Sequence, residues 1–361
     1  MALSTDFERL SLPLRDDFGT AYGTRETAEN VLVRIADESG AVGVGAASPA
    51  AYYDESVESA LAVLPELLVV VEDVGDPHAQ QRIERRLREH APDQAAARAA
   101  VSIAVHDLAA SQQSEPLYRR WGLDPDVVPT SSYTVGIDTP ERMGEKAARA
   151  VDEGYSVLKV KVGTDSAERR SANSRAAEPR DDDRARVAAV RDAAPDAQLR
   201  VDANGAWGPA DAIAATRWLA EQSVEFVEQP VPADDIDGLR AVSENGALPV
   251  AADESCLTAS DVPRVADAAD IVVVKVSKCG GLRGAVQQIA TASAHGLETM
   301  VGCMVTSDAA IAGACHLAPL CDYADLDGAL LLAEDPYDGV PMPGGDIDFQ
   351  AVAVGTGARK L

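Results

Sequence analysis

Val157-Leu-Lys-Val-Lys-Val-Gly163 and Ile271-Val-Val-Val-Lys-Val-Ser-Lys278 are two short apolar runs that hold four of the chain's six lysines. The other two are Lys146 and Lys360, and the rest of the 32 basic residues are arginines. Lysine reserved for the ends of buried strands points to an amine that gains and loses a proton, which a guanidinium does not do. Between the two runs come three acidic strand ends: Asp202 in Leu199-Arg-Val-Asp-Ala-Asn-Gly205, Glu228 in Val224-Glu-Phe-Val-Glu-Gln-Pro230, and Asp253 in Val250-Ala-Ala-Asp-Glu-Ser255.

Working outward, the chain from Val127 alternates short apolar runs with helical segments. The runs begin near Ser132, Ser156, Gln198, Val224, Leu248, Ile271, Glu298 and Cys321. From Asp202 to Lys275 the landmarks recur every 22 to 26 residues, the length of one strand, one helix and two short loops. Eight such units predict a (β/α)₈-type barrel with function at the C-terminal strand ends, where all five landmarks fall. The longer interval from Lys161 to Asp202 contains Thr164 to Asp183, read as a solvated insertion, with Arg180-Asp-Asp-Asp-Arg184 as a solvated face. The rival doubly wound sheet lacks its G-x-G-x-x-G after a strand.

The first third differs in texture. Glu29 to Ala36 alternates, Asp37 to Gly40 turns and Ala41 to Gly45 returns, a hairpin pattern. Phe18 to Thr27 and Ala46 to Asp54 read as loops, and Glu55 to Arg120 as helices broken at Gly75-Asp-Pro77 and Ala91-Pro92. The expected division is an α+β domain over 1–125, completed by the tail 335–361, and a barrel domain over 126–334.

Composition narrows the partners. A net charge of −27 over 361 residues disfavours nucleic acid and anionic membranes. An acidic surface poor in lysine and aromatics fits a halophilic, salt-loaded cytoplasm, where mobile cations screen the carboxylates. The five cysteines (Cys256, Cys279, Cys303, Cys315, Cys321) are odd in number and lack C-x-x-C spacing, which fits a reducing compartment. The first ten residues lack a signal-peptide pattern, and Leu61 to Val71, broken by Pro65 and Glu66, is too short for a membrane span. A cytoplasmic enzyme acting on a small molecule, as a homo-oligomer, is expected.

In an eight-stranded barrel strands two and six are opposed, so Lys161 and Lys275 would face each other across the mouth. Asp202, Glu228 and Asp253 would lie on the arc between them, where three converging carboxylates need a cation; an all-oxygen site suits Mg²⁺, with Mn²⁺ possible. A metal that stabilises an enediolate, with an amine on each face, removes a proton next to a carboxylate and returns it from the other side. Burial, the metal and the like charge of Lys159 would favour the neutral amine. A single strand lysine usually snorkels to solvent and a strand-end acid often caps a helix. The joint register of five such residues carries the reading, and the outcome is racemisation or epimerisation.

Lys159-x-Lys161, Asp202-x-Asn204, Glu228-Gln-Pro230, Asp253-Glu254-Ser255 and Lys275-x-x-Lys278-Cys-Gly-Gly281 resemble the enolase superfamily, in its muconate-lactonising subgroup. The resemblance implies a (β/α)₇β modified TIM barrel under an N-terminal α+β capping domain, whose loops at Phe18 to Thr27 and Ala46 to Asp54 close over the substrate. It implies Mg²⁺ on Asp202, Glu228 and Asp253, acid/base roles for Lys161 and Lys275, and support from Asn204, Glu254 and Lys278. Tyr323-Ala-Asp-Leu-Asp-Gly328 resembles the D-x-D of dipeptide epimerases, which implies that Asp325 and Asp327 hold a substrate ammonium; Met300-Val-Gly-Cys-Met304 is similar to the same enzymes. Lys159, Arg25, Tyr52 and Thr134 are further expected substrate contacts. Many relatives have a glutamate where Thr306 stands, and the arginine of Ala-Glu epimerases would fall near Gly23, with Arg25 the nearest candidate. The alternative reading is o-succinylbenzoate synthase or another cycloisomerase or lyase on the same platform. Mandelate-type racemases need a histidine near strand seven, and Met300 to Ser307 has none.

Overall fold

The computed structural model describes residues 2–163 and 181–361. Three antiparallel strands open the chain: β1 (Leu3–Thr20), β2 (Gly23–Asp37) and β3 (Val42–Ala47), in the order β1-β2-β3. The sheet packs on helices α1 (Val57–Val74) and α3 (Ala95–Gln112), and α2 (Gln80–His90) packs on those two helices. Ser56 starts α1 through a reciprocal cap with Ser59, and Gly75 ends it in the left-handed region. α3 is alanine-rich and buried nearly all round, as a helix enclosed by its neighbours should be. Its contact with β3 requires Gly43 and Gly45: a Cβ on either would fall 2.1 or 2.2 Å from the carbonyl oxygen of Ala104 or Ala100.

Eight parallel strands follow: β4 (Tyr133–Val135), β5 (Val157–Lys161), β6 (Gln198–Asp202), β7 (Val224–Glu228), β8 (Val250–Ala252), β9 (Ile271–Lys275), β10 (Glu298–Gly302) and β11 (Tyr323–Asp325). They pair in chain order, and a parallel bridge between Ser131 and Ala324 joins the two ends, with Ser132 N donating to Ala324 O at 3.1 Å. The result is the TIM-type barrel expected, each strand starting within two residues of its predicted position. Phe226, Ala251, Ile271, Val273 and Met300 fill its interior. Arg200 lies over the rings of Phe226 and Tyr323, bonded to Glu225 and Ala324 O, so the interior has a floor and the functional end is the other one.

Two readings need correction. Phe18 to Thr27 is not an irregular loop but the tip of the β1–β2 hairpin, with paired residues as far as Thr20 and Gly23. Nor is the charge run at Arg180 to Arg184 wholly solvated. Asp183, in the helix Asp181–Ala193, is buried and accepts from Gly163 N at 3.2 Å and from Trp207 Nε1, which ties that helix to the turn after β5. The rest of the expected insertion, 164–180, lies outside the described residues. The tail returns to the N-terminal unit: Thr356 N donates to Asp107, and Leu117 N to Gly355 O. All five cysteines are free, and among the described residues no helix is long and apolar enough to cross a membrane.

Candidate active site

Lys161, Asp202, Glu228 and Lys275 are each the last residue of a barrel strand, and Asp253 directly follows β8. The parallel register sets Lys161 beside Asp202 and Asp202 beside Glu228. These side chains stand at a cavity between the barrel mouth and the capping unit. Of the residues expected to touch substrate, Lys159, Lys161, Lys275, Asp325, Asp327, Arg25, Tyr52 and Thr134 all line it; Asp202, Glu228 and Asp253 lie below, fully buried.

The ion pairing is dense. Lys161 Nζ is 2.5 Å from Asp202 Oδ2, and Lys275 Nζ is 2.6 Å from Asp253 Oδ2. Lys159 Nζ reaches Glu228 and Asp325 at 2.7 Å and Asp202 at 3.2 Å. Lys278 spends its donors on Asp253 Oδ1 and on the carbonyls of Asp253, Val273 and Cys256, and so acts as a fixed brace. Asn204 bonds Lys161 and Glu254. Ser132, which the sequence reading missed, donates to Asp325 at 2.6 Å, and Thr134 N donates to Asp327 at 2.5 Å.

Burial alone would push every one of these carboxyls up, and the lysines decide which escape. Asp202 is pulled down by Lys161 and Lys159, and Asp253 by Lys275 and Lys278. Glu228 rises to about 8, Glu254 to about 7 and Asp327 to about 7, because burial and the neighbouring carboxylates outweigh their cations. Burial pulls Lys275 down, yet Asp253 and Glu228 hold it above the usual lysine range. The effect of burial expected from the sequence is present, and the carboxylates overrule it.

Six buried acids (Asp202, Glu228, Asp253, Glu254, Asp325, Asp327) face four buried lysines (Lys159, Lys161, Lys275, Lys278), a surplus of two acids that the upward shifts of Glu228, Glu254 and Asp327 express. Glu228 has no directed hydrogen bond to either oxygen, although Lys159 stands 2.7 Å from Oε2. As the side chains lie, no three acidic, imidazole or thiol groups among the described residues stand at metal-ligand spacing, since ammoniums separate the carboxylates. A surplus of two acids, an oxygen-only donor set and a glutamate without a directed hydrogen bond fit a divalent hard cation.

Two supports were legible only in part. Gln229 stands inside the quoted Glu228-Gln-Pro230 run, but its task is structural and non-local. At φ 38° it sits in the left-handed region, its Oε1 accepts from Asp253 N at 3.0 Å and Ser255 N at 3.1 Å, and its Nε2 donates to Val231 O and Ser255 Oγ. Asn204, at φ 42°, makes the equivalent turn after β6 and donates its N–H to Asp202. Two non-glycine residues in strained turns, one or two residues after two of the acids, mark a site where side-chain position outweighs backbone comfort. Tyr22 is the other: it stacks on Tyr52 at 4.6 Å and 9°, and its hydroxyl donates to Glu254 at 3.2 Å. Tyr52 in turn donates to Met304 Sδ at 3.2 Å, so both capping loops are pinned to the barrel through one aromatic pair.

Comparison with known proteins accords with this geometry. Residues 8–122 match the mandelate racemase/muconate lactonizing enzyme N-terminal domain, and residues 142–342 the enolase C-terminal domain-like family. The L-Ala-D/L-Glu epimerase of Bacteroides thetaiotaomicron is 34% identical over 351 residues, 97% of this chain and 86% of that protein. The hydrophobic dipeptide epimerase of Enterococcus faecalis is 33% identical over 336 residues, 91% of this chain and 90% of that protein. A dipeptide epimerase from Enterococcus faecalis, solved with Mg and L-Leu-L-Tyr, superimposes with a TM-score of 0.87 at 31% identity, covering 99% of both chains. The chain belongs to the mandelate racemase/muconate lactonizing enzyme family of the enolase superfamily, and is an isomerase similar to its dipeptide epimerases.

Proposed function

We propose that the protein inverts the α-carbon of the C-terminal residue of a dipeptide by proton transfer between Lys161 and Lys275. One observation carries the reading: two buried lysines end strands on opposite sides of the barrel, with an arc of acids between them and a second acidic pair, Asp325 and Asp327, on the far wall. Asp202, Glu228 and Asp253 would hold Mg²⁺, with Mn²⁺ as an alternative, and the substrate carboxylate would bind there. Asp325 and Asp327 would receive the ammonium, which is one peptide unit away from that carboxylate in a dipeptide.

When bound, the cation would take up the charge of the three carboxylates and of the substrate carboxylate, which leaves burial free to favour neutral lysine amines. One lysine, neutral, takes the α-proton; the other, protonated, returns a proton to the opposite face. Lys159, surrounded by three carboxylates, holds Asp325 and Glu228 in position. Arg25, Tyr52 and Thr134 would bound the substrate from the cap and from β4. The Tyr22–Tyr52 pair would cover part of the site on the side of the cap.

The test is deuterium exchange. Incubation with Mg²⁺ and a library of L,L-dipeptides in D₂O should place deuterium at the C-terminal α-carbon and yield the L,D epimer. A library without any exchange, together with dehydration of the cyclohexadiene precursor of o-succinylbenzoate, would replace the epimerase reading with that synthase.

A further inference from the structure

One wall of the cavity is not used by the proposed proton transfer. It adjoins Asp327, where β1 and the segment after β11 are tied by their backbones. Arg15 N donates to Leu331 O at 3.0 Å, Ala333 N to Pro13 O at 2.8 Å, and Leu14 bridges Leu332. On the neighbouring side Ile137 N donates to Gly19 O at 2.8 Å, which brings Phe18 against the turn after β4, its ring 3.0 Å from where a Cβ on Gly136 would lie. From these ties Leu14, Phe18 and Leu331 face the cavity, joined by Val305. Leu14 and Val305 pack on the same cluster of Leu12, Ala28 and Leu332.

Arg15 and Asp16 of this loop are engaged elsewhere. Arg15 Nε donates to Leu332 O at 2.9 Å, and Asp16 pairs with Arg149. Arg25, the arginine that lines the cavity, stands by Tyr52, where its charge opposes the upward push of burial on that phenol. The wall made by Leu14, Phe18, Val305 and Leu331 is therefore apolar, and the charges next to it are Asp325, Asp327 and Lys159, whose ammonium is paired with Asp325 at 2.7 Å.

Resting on the epimerase reading, we propose that this wall receives the side chain of the substrate's N-terminal residue and selects dipeptides in which that residue is apolar and larger than alanine. The geometry leaves little choice. With the ammonium on Asp325 and Asp327, the carbon that bears it is one bond away, so its side chain departs into the adjoining wall. An acidic side chain there meets two carboxyl groups, and the nearest cation, Lys159, is already shared among Asp202, Glu228 and Asp325. A basic one finds as counter-charge only the acids that hold the ammonium. An apolar chain displaces water from Leu14, Phe18, Val305 and Leu331, with a gain of roughly fourfold per buried methylene.

The experiment measures deuterium exchange at the C-terminal α-carbon for L-Leu-L-Ala, L-Met-L-Ala, L-Ala-L-Ala, L-Asp-L-Ala and L-Lys-L-Ala with the Mg²⁺-loaded enzyme. The leucine and methionine dipeptides should exceed L-Ala-L-Ala in kcat/KM by roughly tenfold or more, and the aspartate and lysine dipeptides should fall roughly a hundredfold below them. Leu14→Asp, or Phe18→Asp should the first variant fold poorly, should raise L-Lys-L-Ala and lower L-Leu-L-Ala. Equal rates for L-Leu-L-Ala and L-Ala-L-Ala or L-Asp-L-Ala would overturn the assignment of this wall and leave the epimerase reading standing. No exchange with any member would remove the epimerase reading itself, and the wall's assignment with it.

Discussion

Lys161 and Lys275 end strands that stand four places apart in a closed sheet of eight, so their ammoniums enter the cavity from opposite walls, each on a different acid: Asp202 at 2.5 Å and Asp253 at 2.6 Å. Opposed amines imply stereospecific halves of one reaction. Lys161→Gln and Lys275→Gln should each abolish epimerisation, with kcat down by roughly 10²–10⁴-fold. Each should still exchange the α-proton of one epimer and not the other. NMR in D₂O with the separate epimers checks this; a single lysine sufficient for both would count against the two-base reading.

Gln229 joins β7 to β8 through a side chain that closes two backbone N–H groups, those of Asp253 and Ser255. Gln229→Ala leaves both buried and unpaired, which should cost about 2–4 kcal/mol of stability. The loss should appear in urea denaturation. Mg²⁺ titration should show weaker binding as well, because Asp253 loses its anchor.

The Tyr22–Tyr52 stack couples the two capping loops. An aromatic pair contributes about 1 kcal/mol beyond its buried area, so Tyr22→Ala should raise KM by roughly fivefold or more with a smaller effect on kcat. Tyr22→Phe keeps the stack and loses the 3.2 Å bond to Glu254, and should lie between. Equal kinetics for all three would mean that the loops close independently.

His316 is buried between Tyr118 and Phe349, with Nδ1 accepting from Tyr118 N and Nε2 donating to Thr356 O. Burial lowers its pKa from 6.5 to about 4. The folded form therefore stays neutral while the unfolded chain takes up a proton below 6.5, so this contribution is complete above pH 6.5 and lost as pH falls toward 4. Between pH 7.5 and 5 the wild type should lose about 2 kcal/mol relative to His316→Gln. Urea midpoints at the two pH values, with the variant subtracted, isolate the term from other titrating groups.

A net charge of −27 makes self-repulsion part of the stability balance. Raising KCl from 0.1 M to 2 M should raise Tm, and replacing KCl with an uncharged osmolyte at equal osmolarity should raise it less. A Tm that falls with salt would remove the high-salt reading of the surface.

Read from the chain alone, the barrel and its landmarks are legible because strand runs and their spacing are local. Asp202, Glu228 and Lys275 end their strands as the repeat required, and β5 and β9 begin within a residue of prediction. The hairpin tip at Phe18 to Thr27 reads as a loop since its residues carry turn chemistry and their strand partners lie within the same short stretch. Asp183 looked solvated in a run of charges and is buried, because Gly163 N and Trp207, neither of them adjacent in sequence, claim its oxygens.

The sequence by itself determined which residues would meet, since a parallel barrel brings every strand end to one rim whatever the loops do. Only the tertiary structure decided their charge states and allies: that Lys278 is a brace, that Gln229 clips Asp253, that Tyr22 locks onto Tyr52, and that Lys275 is held protonated by its own neighbours. Those outcomes depend on distances of a few ångströms between segments far apart in the chain. Electrostatics and desolvation vary steeply over that range, and no pattern in one dimension records it.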